Sequence, residues 1–156
     1  MLENTDTLLS MAEIAAAFAG FAALVSVIRG GGDSTDIAHD LLRLRLVISG
    51  GVAGVAAALI PVGLAGYGLE PAVTWRLAAL LFLVFDNGII VSFIRAYRPV
   101  RGTFPPDRLA VGVVSFLEVL EQASLVMVVL HLVPGGAPAL YVTALIANIC
   151  QAGVIF

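Results

Sequence analysis

Long apolar runs alternate along the chain with short polar breaks, and the runs have the length of membrane spans. Crossing about 30 Å of hydrocarbon takes about 20 helical residues. Five runs meet that length, at about 7–28, 46–69, 76–94, 109–133 and 137–156. Arg29 and Gly30-Gly31-Gly32 close the first, and Pro134-Gly135-Gly136 ends the fourth. The fifth is just long enough, with a re-entrant or interfacial segment as its alternative. The pattern predicts an all-α integral membrane protein, a polytopic bundle of four or five transmembrane helices. The loops are too short for a second domain, so residues 1–156 form a single transmembrane domain.

Composition agrees and removes other classes. The chain is 60% hydrophobic and only 12% charged, whereas soluble domains carry about 25% charged residues. A soluble globular domain, a disordered chain and a disulfide scaffold are excluded. A single cysteine, Cys150, permits no disulfide within the chain and reads as a small buried hydrophobe. The net charge is −3, and no basic face survives outside the apolar runs. No nucleic-acid partner is expected.

Charge placement sets the orientation. All eight basic residues are arginine. Arg29, Arg43 and Arg45 lie in the first connection, and Arg95, Arg98, Arg101 and Arg108 in the third; only Arg76 falls on the opposite side. The positive-inside rule puts the first group in the cytoplasm and the N-terminus outside. The N-terminal stretch holds Glu3 and Asp6 and no basic residue, so the first span reads as retained rather than as a signal peptide. The expected location is integral to a membrane, read as a bacterial plasma membrane.

Helices in lipid associate by close packing, so small residues mark contacts. Gly50, Gly54 and Ala58 recur every four residues in the second span, and Ala12, Ala16 and Gly20 in the first. Packing within one protomer is the favoured reading, and a face between protomers the sharper one. Pro61, followed by Gly63, Gly66 and Gly68, predicts a kink in the outer half of the second span.

Polar residues inside the spans carry the functional signal, since a carboxylate at mid-span costs about 2.5–3.5 kcal/mol on insertion scales. Asp86 and Asn87 fall at the midpoint of the third span, Glu118, Glu121 and Gln122 around that of the fourth, and Asn148 and Gln151 near mid-depth in the fifth. The i, i+3, i+4 spacing puts Glu118, Glu121 and Gln122 on one face, with Ser115 a turn below. No arginine lies in a span core to neutralise them. These acids must be protonated, share a proton, lie in water or hold a cation, and proton sharing between neighbouring buried carboxyls is physically ordinary. Polar hydrogen bonding between helices is the bland alternative. Glu13, two turns from the outer end of the first span, is within expected reach of Arg76 as a structural ion pair.

Catalytic motifs are missing. His39 and His131 lie on opposite sides and cannot ligate one haem, and neither sits in a zinc-type cluster. There is no H-E-x-x-H and no G-x-S-x-G. Without lysine there is no retinal Schiff base, and Gly30-Gly31-Gly32 lacks the Lys-Ser/Thr of a phosphate loop. Asp33, Asp36, His39 and Asp40 lack the spacing of a calcium loop and read as a solvated helix cap. Trp75 and Tyr97 read as interfacial anchors. No cofactor, no metal centre and no enzymatic activity are expected. The function expected is a cation or proton pathway, channel or transporter, lined by Asp86, Asn87, Glu118, Glu121, Gln122, Asn148 and Gln151. A bundle this small has little room for a pore, which implies a homo-oligomer among membrane lipids. The alternative is a non-catalytic accessory subunit docking on other membrane subunits.

Overall fold

The computed structural model describes residues 4–28, 34–100 and 108–155. Arg29, the Gly30-Gly31-Gly32 break, Asp33 and Arg101 lie outside them, as do the side chains of Asp36, His39 and Asp40. Five α-helices follow one another: α1 (Thr5–Ile28), α2 (Ser34–Gly66), α3 (Pro71–Tyr97), α4 (Arg108–Val129) and α5 (Ala137–Ile155). Each contains a segment long and apolar enough to cross a membrane. The protein is an all-α membrane bundle.

The helix ends follow local chemistry. Pro71 opens α3, where its missing N–H costs nothing. At the end of α4, His131 takes a left-handed φ of 56°. His131 N–H then reaches Val128 C=O and Leu132 N–H reaches Met127 C=O, the paired bonds of a Schellman close. The largest boundary difference from the sequence pattern is at α2. It starts twelve residues before the expected 46, because helical backbone continues into the polar connection where apolar periodicity gives no signal.

Packing places α5 at the centre. It touches all four other helices, while α1, α2, α3 and α4 each pack on the next in chain order. The four therefore form an arc around α5. The arc stays open, because α1 and α4 share no packed face among the described residues, and α5 is exposed along Ile146, Cys150 and Val154. Cys150 is thus an exposed thiol rather than the expected buried hydrophobe.

Two apolar clusters lie at different depths. The larger joins Leu8, Ala58, Phe82, Leu125, Tyr141 and Leu145 from all five helices, in the half of the bundle that holds the α2–α3 turn. The smaller joins Ala22, Val47 and Ala152 toward the arginine-rich end. Trp75 belongs to the larger cluster. It is only 3% exposed and lies 5.3 Å from the Tyr141 ring, so it is a core residue rather than an interfacial anchor. Tyr97 stacks on Phe93 at 5.8 Å.

The small residues pack inside the protomer, but on a shifted stripe. Ala58 and Gly54 are buried; Gly50 has nothing within 4 Å of where a Cβ would stand. Its neighbour Gly51 makes the closest approach, where a Cβ would meet Ala19 Cβ at 2.8 Å and the Ala15 carbonyl at 3.1 Å. On α1 the buried positions are Leu8, Ala12, Ala15 and Ala22, whereas Ala16 and Gly20 face outward. A spacing of four drifts around a helix of 3.6 residues per turn, so only part of each expected stripe can face one neighbour.

Helix α2 continues through Pro61 to Gly66. Proline has no N–H, so the carbonyl four residues earlier, at Ala57, loses its helical donor. The Tyr141 hydroxyl of α5 donates to that carbonyl at 2.7 Å. A side chain from the central helix thus satisfies the group that the proline frees, as the water-free bilayer core requires.

Candidate functional site: an intramembrane carboxylate cluster

Between the two apolar clusters lies a polar layer built by continuing three buried stripes. On α3 the buried positions Trp75, Ala78, Ala79 and Phe82 lead at helical spacing to Asp86. On α4 the stripe of Val128, Leu125 and Ser124 ends at Glu121. On α5, Tyr141, Ala144 and Leu145 lead to Asn148 and Gln151. Each helix therefore carries its polar group where the pattern would otherwise place another core residue.

Side-chain bonds knit the three helices together. Gln122 Nε2 donates to Asp86 Oδ2 across the α3–α4 interface and to Glu118 Oε1 at 2.9 Å. Asn87 Nδ2 donates to Gln122 Oε1 at 3.2 Å and to the Leu83 carbonyl at 2.8 Å. Across the α4–α5 interface, Gln151 Nε2 donates to Glu121 Oε2 at 2.9 Å. Asn148 is buried one turn from Gln151, with its Oδ1 only 3.1 Å from where a Cβ on Gly54 of α2 would stand. All seven polar residues singled out in the sequence lie on the faces of α3, α4 and α5 that meet in this layer.

Oxygen atoms of Asp86, Glu118 and Glu121 all lie within 4.8 Å of one another. Asp86 and Glu121 are buried and Glu118 is half-buried. Glu121 has no exposed surface, and its Oε1 has no hydrogen-bond partner. By helical rise, Glu118 lies about 15 Å along α4 from Arg108. The amide hydrogen bonds that reach these carboxyls carry no charge, and the Asp86 and Glu118 carboxyls lie within hydrogen-bonding reach of each other. Comparison with known proteins finds no matching family model, no similar curated protein and no similar solved structure. The chemistry of the site rests on its own geometry.

That geometry poses an energetic demand. Three mid-span carboxylates together cost about 8–10 kcal/mol on insertion scales, comparable to the whole stability of a small domain. Neutral amides offset part of this cost and leave the charge uncompensated. Protons or a cation must supply the rest.

A groove along α3 runs past Arg95, Ser92, Val91 and Gly88 to Asn87, whose amide bonds Gln122. Beside it, a cleft of about 180 Å³ between α2 and α3 is lined by Arg45, Ser49, Phe85, Gly88 and Ser92. Toward the other end, Phe82, Leu125, Val128 and Tyr141 close the bundle. Arg45 donates to Ser92 Oγ at 3.3 Å, tying α2 to α3 beyond the role in topology expected of that arginine.

The expected Glu13–Arg76 pair does not form. Both residues are exposed, and their helices share no packed face. Both lie toward the same end of the bundle, but the arc places α2 between α1 and α3. Ser115, a turn below Glu118, is exposed outside the cluster.

Proposed function

We propose that this protein moves a cation or protons across the membrane through the Asp86–Glu118–Glu121 cluster, with Asn87, Gln122, Asn148 and Gln151 completing the polar layer. The observation that carries this reading is the mutual proximity of three mid-span carboxyls whose donated hydrogen bonds come from neutral amides and never from a basic side chain among the described residues. Hydrogen bonding between helices could be met by amides alone, at lower cost than acids. The apolar closure by Phe82, Leu125, Val128 and Tyr141 favours a gated path or a carrier over a permanently open pore. The reading includes no catalytic activity and a bacterial plasma membrane as the location.

A homo-oligomer belongs to the same proposal. Asn87 and Ser115 are exposed on α3 and α4, and Glu118 is half-exposed between them. Polar groups at that depth need protein or water rather than lipid tails. A different membrane subunit would cover them equally well, which keeps an accessory role as the second reading. Mass measurement of the purified protein in mild detergent should give a stable multiple of the 16.2 kDa chain. A monomer that purifies only with other chains would favour the accessory role.

Flux into proteoliposomes tests the pathway itself. Glu118→Gln, Glu121→Gln and Asp86→Asn keep size and hydrogen-bonding capacity while removing the ionisable group. Proton or cation flux should fall at least about tenfold in one or more variants, roughly 1.4 kcal/mol on the limiting step. If the wild-type protein supports flux and all three variants match it, the cluster is not the path.

A further inference from the structure

We propose that Asp86, Glu118 and Glu121 form a binding site for one hard divalent cation of calcium size. This rests on reading the cluster as the working site and names the ion class it takes. The spacing is the first ground. Oxygen ligands stand 2.3–2.6 Å from a bound calcium ion, so those on opposite sides are about 5 Å apart. The three carboxyls already offer oxygens within 4.8 Å of one another, inside the span that such an ion bridges.

The second ground is the orphaned oxygen. Glu121 is fully buried, Gln151 satisfies its Oε2, and its Oε1 has no partner. A buried carboxylate oxygen left unmatched costs more than an unmatched neutral group. A cation held between Glu121 and the other two acids supplies the missing partner.

Donor chemistry and charge select the ion. The cluster and the amides bonded to it offer oxygen and no sulfur or imidazole, a set that suits calcium, magnesium or manganese over zinc or copper. Magnesium holds ligands at 2.0–2.1 Å and retains several waters, for which the sealed side of Glu121 leaves little room. A dication neutralises two carboxylates, and the third keeps a proton, so the loaded site is uncharged. Gln122 adapts to both states. Its Nε2 now donates to Asp86 and Glu118. A half-turn of the amide presents Oε1 to the ion and Nε2 to Asn87, which must turn in step, giving up its bond to the Leu83 carbonyl, to accept through Oδ1.

Calorimetric titration of the full-length protein in detergent, after treatment with chelator, tests this directly. The expected result is one calcium per chain, bound at least about tenfold more tightly than magnesium, with a calcium-dependent rise in melting temperature. Glu121→Gln and Asp86→Asn should each weaken calcium binding at least about tenfold, the lower end of losses measured even for residues that only support metal ligands. The wild-type titration decides the matter even if a variant fails to fold: no saturable calcium binding overturns the site. Binding that survives both substitutions unchanged overturns it as well. Flux measured separately distinguishes the two readings. Proton or monovalent flux without calcium binding removes this site and leaves the pathway, whereas calcium binding without flux keeps the site and removes the transport reading.

Discussion

Gly51→Leu should abolish the docking of α1 on α2, the largest single-residue effect on stability expected in this protein. A Cβ at that position alone would stand 2.8 Å from Ala19 Cβ and 3.1 Å from the Ala15 carbonyl. Neither atom belongs to a flexible side chain that can swing aside, so the helices must separate. Overpacking usually costs about 1–3 kcal/mol, and a leucine adds three further carbons to a contact already too tight for one. The expected loss is more than about 3 kcal/mol in denaturant unfolding from mild detergent. Gly54→Leu should also destabilise, by pressing on Ala15 and on Asn148 Oδ1, and it should disturb the polar layer. Gly50→Leu is the control, because nothing stands within 4 Å. It should fall within about 0.5 kcal/mol of the native protein. Equal losses at positions 50 and 51 would show that α2 turns a different face to α1.

The second large effect concerns the proline in α2. Tyr141→Phe removes the donor that satisfies the Ala57 carbonyl, which Pro61 leaves without its helical partner. The exposed alternative, bonding to water, is absent in the bilayer core. An unsatisfied buried acceptor costs about 1–3 kcal/mol, and the upper part of that range is expected. Pro61→Ala restores a backbone N–H to Ala57, so the carbonyl no longer depends on the hydroxyl. In that background Tyr141→Phe should cost less than half as much. The double-mutant cycle should return a coupling of about 1 kcal/mol or more, the size found between groups that share a hydrogen-bond network. Identical costs in the two backgrounds would mean that the tyrosine acts only by packing against Trp75 and Phe82, with ring centroids 5.3 and 6.0 Å away.

The carboxylate cluster was legible before the fold because insertion chemistry is a property of single residues. Asp86, Glu118 and Glu121 are costly in lipid wherever their helices pack, and counting inward from the span ends puts them at one depth. Depth along a helix follows from residue number and rise. Azimuth and neighbours do not, which is why Glu13 and Arg76 lie toward the same end and still do not meet. The same limit applies to Trp75, which lies near a helix end and yet turns into the core against Tyr141.

The sequence by itself determined the class and narrowed the span count to four or five: apolar length is additive along a chain, and runs of that length leave no soluble alternative. It also determined which residues need compensation inside the membrane. Only the tertiary structure decided that α5 is the central helix, that Cys150 is exposed where the arc stays open, and that Gly51 rather than Gly50 makes the tight contact. Those outcomes depend on which helices are neighbours, and in lipid that choice is made by close fit among many small residues. The pairing of Tyr141 with Ala57 belongs to the same category. Pro61 announces a carbonyl without a donor, but the donor lies 84 positions away in the chain, and only the packed bundle brings it within reach.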